Sequence, residues 1–410
     1  MLIHAVDESA VEIEQKGCLI ARHGHDYALW EAAPGLGLAT ERRGFGKMAE
    51  AHGGQLMKRI LIASFAVAFS LAVGTVQADS QKLRIITWAD YVPADLIAAF
   101  KKETGIDVEV TLSNNEEIIS KLRATGGAGY DLAQPSQDRI VAAQREFGIY
   151  KPFDLTKIKL DQFQPDFLDI VRKNTTLDGK QYGLPYLWGT DGLVVNSKRA
   201  KIADYTDLCR ADLRGKTSVR LRRPTLMAFA FAAGKDPFAL YGDPKAYGLL
   251  MDQVGAALIA CKVNFKFFYD NKDQLINGIR TGEVVAAMMW DTGGWTLNRE
   301  NLDIQFIVPK SGALGWLDTF ALPARGRNDA AAYAWINFTM RPDNAARVVK
   351  SVGSFSAAKG TEALIDPRLK AQFAATFPNN SLKAIHWYPA IPPGLEEMEG
   401  RVLDRVKAAN

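Results

Sequence analysis

Ile85-Ile86-Thr87-Trp88-Ala89-Asp90-Tyr91-Val92-Pro93 ends an apolar run, sets an indole, a carboxylate and a phenol within four residues, and closes on a proline. The run from Lys82 to Thr87 reads as a buried strand. The proline opens a helix over 93–104, with Leu96, Ile97 and Phe100 on one face and Gly105 as its stop. Residues 106–112 read as a second strand, and Asn114 or Asn115 as the cap of a helix bearing Ile118, Ile119 and Leu122. A short strand over 130–133 precedes the turn Gln134-Pro135-Ser136. Strands alternating with helices predict a parallel α/β sheet. Ligands of such sheets sit beyond the carboxyl ends of the strands, which is where Trp88, Asp90, Tyr91 and Ser136 fall.

The same chemistry recurs in Met289-Trp290-Asp291 and Gly315-Trp316-Leu317-Asp318. An indole face with a nearby carboxylate attracts an ammonium group through the ring quadrupole and through Coulomb attraction. A lone Trp is more often core than site, but recurrence at strand ends favours a site. Residues 183–197 read as an extended crossing to a second lobe, where strands at 217–221, 283–290 and 305–308 accompany helices at 226–233, 247–260 and 273–280. Residues 317–322 recross, and helices follow at 330–340, 344–352 and 395–409. Two lobes joined by extended crossings is the economical organisation.

A chain of 410 residues, 48% hydrophobic and 23% charged, fits a soluble protein of two or three domains. Met57-Lys58-Arg59, an apolar run over 60–73 and Val76-Gln77-Ala78 read as a secretory signal peptide cleaved after Ala78. The apolar run is shorter than the roughly 20 residues needed to span a bilayer. On this reading Met57 is the start, and residues 1–56 are an upstream extension outside the mature protein. The remainder keeps only His386, Cys209 and Cys261, too few donors for a zinc, haem or iron–sulfur site, so no cofactor is expected. The two cysteines fit either a disulfide or separate buried thiols. A net charge of +4 without a Lys/Arg block excludes a nucleic-acid partner. Gly215-Lys216-Thr217 lacks the earlier glycine of a phosphate loop, since residue 210 is Arg. His386, beside Trp387-Tyr388, reads as a packing or rim residue rather than a base.

The chain resembles the periplasmic spermidine/putrescine-binding proteins of ABC importers in Trp88-Ala89-Asp90-Tyr91-Val92-Pro93, Phe100-Lys101-Lys102-Glu103-Thr104-Gly105, Leu184-Pro185-Tyr186-Leu187-Trp188-Gly189, Trp316-Leu317-Asp318 and Arg341-Pro342-Asp343. The resemblance implies a two-lobed α/β periplasmic binding protein of type II, each lobe a mostly parallel sheet flanked by helices and joined by hinge crossovers. It implies lobe 1 over 79–189, returning at about 320–354, and lobe 2 over 190–319 with about 355–410. Trp88, Asp90, Tyr91, Ser136, Trp290, Asp291, Trp316 and Asp318 become the implied ligand-binding residues, with Tyr388 a further contact. Polyamine binders similarly aligned carry acidic residues near Arg222 and Thr225. An arginine facing the site would repel a second ammonium and accept a carboxylate. Two ligands therefore stand: a zwitterionic ω-amino acid such as γ-aminobutyrate, or putrescine/spermidine with the arginines turned to solvent. The function implied is a monomeric, non-enzymatic periplasmic receptor for a small amine-bearing solute, with an inner-membrane ABC permease as partner. The rival is a secreted enzyme using Asp90 or Asp318 as acid/base.

Overall fold

Strand β1 (Lys82–Thr87) is the middle of a parallel three-stranded sheet, with β2 (Asp107–Leu112) on one side and β3 (Leu132–Ala133) on the other. These coordinates are a computed structural model that describes residues 81–377 and 385–409, all within the unit Phe69–Asn410. The expected signal peptide at 57–78 and the extension before it lie outside the described residues. Helix α1 (Ala94–Thr104) makes the first crossover, burying Leu96 and Phe100, and ends on Gly105 at φ 75°. That left-handed backbone favours a residue without Cβ. Helix α2 (Asn115–Thr125) makes the second and is capped by Asn114, whose side chain accepts from the Glu117 amide.

The larger sheet contains β4 (Leu184–Asn196), β5 (Thr217–Val219), β6 (Phe265–Phe268), β7 (Ala286–Trp290), β8 (Ile304–Ile307), β9 (Ala313–Phe320), β10 (Phe355–Ser356) and β11 (Ile385–Trp387), in the order β11-β9-β4-β7-β5-β6. The outer pairings β9·β11, β7·β5 and β5·β6 are parallel, whereas β4 runs antiparallel to β7, β8, β9 and β10. The antiparallel pairs follow from the connection: β4 leaves the first lobe and β9 returns to it, so the two run in opposite directions. Nearly every residue of the 13-residue β4 is buried, because it is paired along both edges. Beyond β9, backbone bridges join Ala133 to Ala321 and Ser136 to Asp318, which brings the returning strand against β3.

The second lobe carries α3 (Arg223–Ala232), α4 (Pro244–Cys261), α5 (Lys272–Arg280), α6 (Asp291–Glu300) and α7 (Leu395–Ala408). Helix α7 buries Leu395, Val402 and Val406 in a core shared with Leu226, Met251 and Val254. The tail expected whole with the second lobe divides. Phe355 pairs with Trp188 across the sheet, and Phe355, Leu369 and Phe377 enter the core of the first lobe. Trp188 explains this, since Phe355 stacks on it at 4.9 Å and Phe373 meets its edge at 5.8 Å.

Cys209 and Cys261 form a disulfide with a Cα separation of 4.9 Å across 52 residues of chain, which decides between the two expectations. It ties the start of the second lobe to the end of α4. In the chain-entropy picture a loop of this length contributes about 4 kcal/mol. A Cys209→Ser/Cys261→Ser variant is expected to lose about 2 to 4 kcal/mol of stability in urea unfolding.

Candidate ligand-binding site

A cleft of about 590 Å³ opens between the ends of the two sheets and takes walls from both. The loop after β1 supplies one wall. Trp88 donates through Nε1 to the Gln134 carbonyl at 3.0 Å, which fixes the indole against the β3 loop. Asp90 adopts φ 67°, a turn that an aspartate tolerates better than a bulky residue. Its exposed carboxylate meets Lys272, at the start of α5 in the other lobe, at 3.2 Å.

Asp318 is the centre of the cleft and is only 4% exposed. Tyr91 donates its hydroxyl to one carboxylate oxygen and Ser136 donates to the other, both at 2.5 Å. Asn115, the first residue of α2, holds Ser136 by accepting from its amide and donating to its hydroxyl, both at 2.9 Å. Each carboxylate oxygen keeps acceptor capacity for a further donor. Trp316 and Asp318 lie two residues apart on β9 and so share a face. Gly189, opposite Trp316, makes room for the indole: a Cβ there would stand 2.4 Å from Trp316 Cζ2. Trp88, Trp290 and Trp316 are each partly exposed, whereas Trp295 and Trp335 are buried.

In the second lobe, Trp290 ends β7 directly opposite Asp191 of β4. Cross-strand partners share a face, so Asp191 supplies the carboxylate beside this indole. Asp191 is 5% exposed and lines the cleft. Arg220 lies over the Trp290 ring, with Cζ 5.0 Å from its centroid.

Three expected ligand residues stand elsewhere. Asp291 begins α6 and is absent from the cleft lining; it accepts from the Thr190 amide at 2.8 Å and hydroxyl at 2.9 Å, tying α6 to β4. The strand ends at Trp290 and Asp291 opens α6, whose start turns the carboxylate to the Thr190 amide rather than to the indole. Thr225 is buried in α3 and donates to the Arg220 carbonyl at 2.5 Å. Arg222 faces outward and reaches Asp270 at 3.5 Å. The strand stops at Val219, the chain turns, and Arg222 becomes the N-cap of α3, so strand alternation no longer decides its facing. Arg220, Arg223 and Pro224 line the cleft instead.

Arg223 is fully occupied. Its Nη1 lies 2.5 Å from Asp138 and its Nε 3.1 Å from Glu399, it donates to Tyr241, and it sits 5.0 Å over the Tyr388 ring. Tyr247 also donates to Glu399, at 2.5 Å. Arg139, beside Asp138, pairs with Glu396. This buried network runs from the loop after β3 to α3 and α7 and joins the two walls. Asp138 was within sight of the sequence, two residues beyond Ser136, but Arg223, its nearest cation, is 85 positions away. His386 stacks on Phe231 at 3.7 Å and contacts the Ser311 carbonyl at 2.7 Å, a packing role.

Burial pushes the carboxyls of Asp318, Asp191 and Asp291 up to about 7, against the opposing pull of hydroxyl and amide donors or, for Asp191, of Arg220. In the folded protein these groups hold protons that the unfolded chain releases near its ordinary carboxylate pKa. Their contribution to stability therefore falls as pH rises from about 4 to about 7. Capture of a cation by ionised Asp318 has the opposite sign, with affinity falling about tenfold per pH unit below 7. Thermal melts of the free protein and calorimetric titrations from pH 5 to 8 are expected to move in these opposite directions.

Residues 95–375 match the family model of the bacterial extracellular solute-binding proteins. The putrescine-binding periplasmic protein PotF of Escherichia coli (strain K12) is 26% identical over 363 residues, covering 83% of this chain and 95% of its own. The fold is shared with a putative spermidine/putrescine ABC transporter structure from Listeria monocytogenes, at TM-score 0.70 and 22% identity over 81% of this chain and 100% of that one. It is also shared with the Atu4243-GABA receptor, at TM-score 0.63 and 16% identity over 80% and 97% of the two chains. With a two-lobed type II architecture and a family match across most of its length, the chain belongs to the bacterial extracellular solute-binding proteins.

Proposed function

We propose that the chain is the substrate-binding component of a polyamine-type ABC importer: a monomeric periplasmic receptor that closes over a small amine-bearing solute and presents it to an inner-membrane permease. The observation that carries this reading is Asp318, a buried carboxylate oriented by Tyr91 and Ser136 and placed among the partly exposed Trp88, Trp290 and Trp316. Each cation–π contact contributes about 0.5 to 2 kcal/mol, and the carboxylate supplies the anchoring charge. The similarity to a putrescine-binding relative supports an amine. An ω-amino acid such as γ-aminobutyrate belongs to the same candidate set.

On this reading residues 79–189 and 320–377 make the first lobe, and 190–319 with 385–410 make the second. Residues 57–78 direct export. A ligand touching both walls binds the closed arrangement better than the open one, so binding shifts the population toward closure, and the permease reads that shape. The rival reading, an enzyme using Asp90 or Asp318 as acid/base, has Asp90 paired with Lys272 and Asp318 held by two hydroxyls, and it differs from a receptor in releasing a changed product.

Equilibrium dialysis with putrescine, spermidine and γ-aminobutyrate, followed by mass balance, tests the proposal. The expected result is retention of one of them at one molecule per chain, recovered unchanged. A released product would favour the enzyme, and retention of none would overturn the amine reading.

A further inference from the structure

Four cationic side chains line the cleft: Arg139, Arg220, Arg223 and Lys272. Three are neutralised by carboxylates, Arg139 by Glu396, Arg223 by Asp138 and Glu399, and Lys272 by Asp90. Arg220 differs. Among the described residues its side chain makes no ion pair and no hydrogen bond, and its Nε is buried without a partner. Its backbone is nonetheless held tightly, because the Arg220 carbonyl accepts from the Arg222 amide at 2.7 Å and from the Thr225 hydroxyl at 2.5 Å. Its guanidinium rests over Trp290 at the end of β7, whereas Asp318 is held by Tyr91 and Ser136 from the loops after β1 and β3.

A guanidinium over an indole keeps its in-plane N–H fork available, and that fork matches a carboxylate bidentately. The nearby Asp191 does not close it off: it lies beyond ion-pair range, and burial drives it toward the neutral acid. A second ammonium here would instead meet an unneutralised cation. At about 5 Å in a partly dehydrated cleft such repulsion weakens binding on the order of a hundredfold.

We infer that Arg220 is the specificity determinant of the site and receives an acidic group of the ligand, so that the physiological solute is a zwitterion with amine and carboxylate at opposite ends rather than a di- or polyamine. This rests on the amine reading of Asp318 and narrows it. Thr225, expected to touch ligand, acts by fixing the Arg220 backbone.

Calorimetric titration of the protein with γ-aminobutyrate, 5-aminovalerate, putrescine and n-butylamine, repeated on Arg220→Gln, Arg220→Lys and Asp318→Asn, tests the inference. The wild type is expected to bind one of the ω-amino acids at least tenfold tighter than putrescine. Arg220→Gln is expected to lose about a hundredfold for that ω-amino acid, with n-butylamine unchanged and putrescine unchanged or tighter. Arg220→Lys should recover part of the loss, since the charge remains without the fork. Putrescine binding to wild type as tightly as either ω-amino acid, or an equal loss of all ligands in Arg220→Gln, would overturn the role of Arg220 while leaving the amine site standing. Failure of every probe to bind wild type, or binding indifferent to Asp318→Asn, would overturn the amine reading itself.

Discussion

Asp318→Asn is expected to weaken amine binding by about 3 kcal/mol, on the order of a hundredfold, with the fold intact. The substitution keeps the shape of the side chain and removes its charge. In the wild type, Tyr91 and Ser136 both donate to the carboxylate at 2.5 Å, so the ligand ammonium adds a charge-assisted bond to an already oriented anion. In the variant the amide nitrogen must face one of those hydroxyls, which turns to accept. Stability is expected to hold or rise at pH 8, because a carboxyl that burial has pushed up to about 7 is costly to keep ionised. Calorimetry reads the binding loss and a thermal melt reads the stability. A variant that lost affinity only because it unfolded would show a lowered midpoint.

The second large effect is expected at Arg223. Replacing it with Met leaves Glu399, only 3% exposed, without its cation, and takes from Asp138 the nearer of its two arginines, Arg139 remaining at 3.4 Å. Removing one partner of a buried ion pair typically costs about 3 to 5 kcal/mol, because the remaining charge is left uncompensated. Urea unfolding should show that loss at pH 8. Adding Glu399→Gln to the variant should recover part of it, since the uncompensated charge of Glu399 is then gone. Exposed pairs such as Arg172 with Asp169 offer a contrast, and disrupting that one should cost under about 1 kcal/mol.

The first lobe was legible in the sequence because its signals are local. Pro93, Gly105 and Asn114 punctuate helices that form as expected, and Trp88, Tyr91 and Ser136 fall just beyond strand ends and line the cleft. Trp316 and Asp318 were legible for a related reason, since residues two apart on a strand share a face. Trp290-Asp291 looked alike but differed by one position, and the strand ends at Trp290, so the start of α6 turns the carboxylate to the Thr190 amide. The acid that faces Trp290 is Asp191, a cross-strand partner 99 positions earlier, which only the register reveals. The arginine run failed for a different cause: where strand β5 stops decides which arginine turns inward, and Arg222 caps a helix while Arg220 and Arg223 reach the cleft. The network of Asp138, Arg223 and Glu399 joins three distant segments, and no local pattern announces it.

The most direct measurement is a crystal structure of the protein bound to the amine it retains in dialysis. The expected result places the ligand nitrogen within hydrogen-bond distance of Asp318, between the faces of Trp88, Trp290 and Trp316, with both lobes in contact. A ligand nitrogen bound elsewhere, with Asp318 still held by Tyr91 and Ser136 alone, would contradict an amine receptor built on this carboxylate.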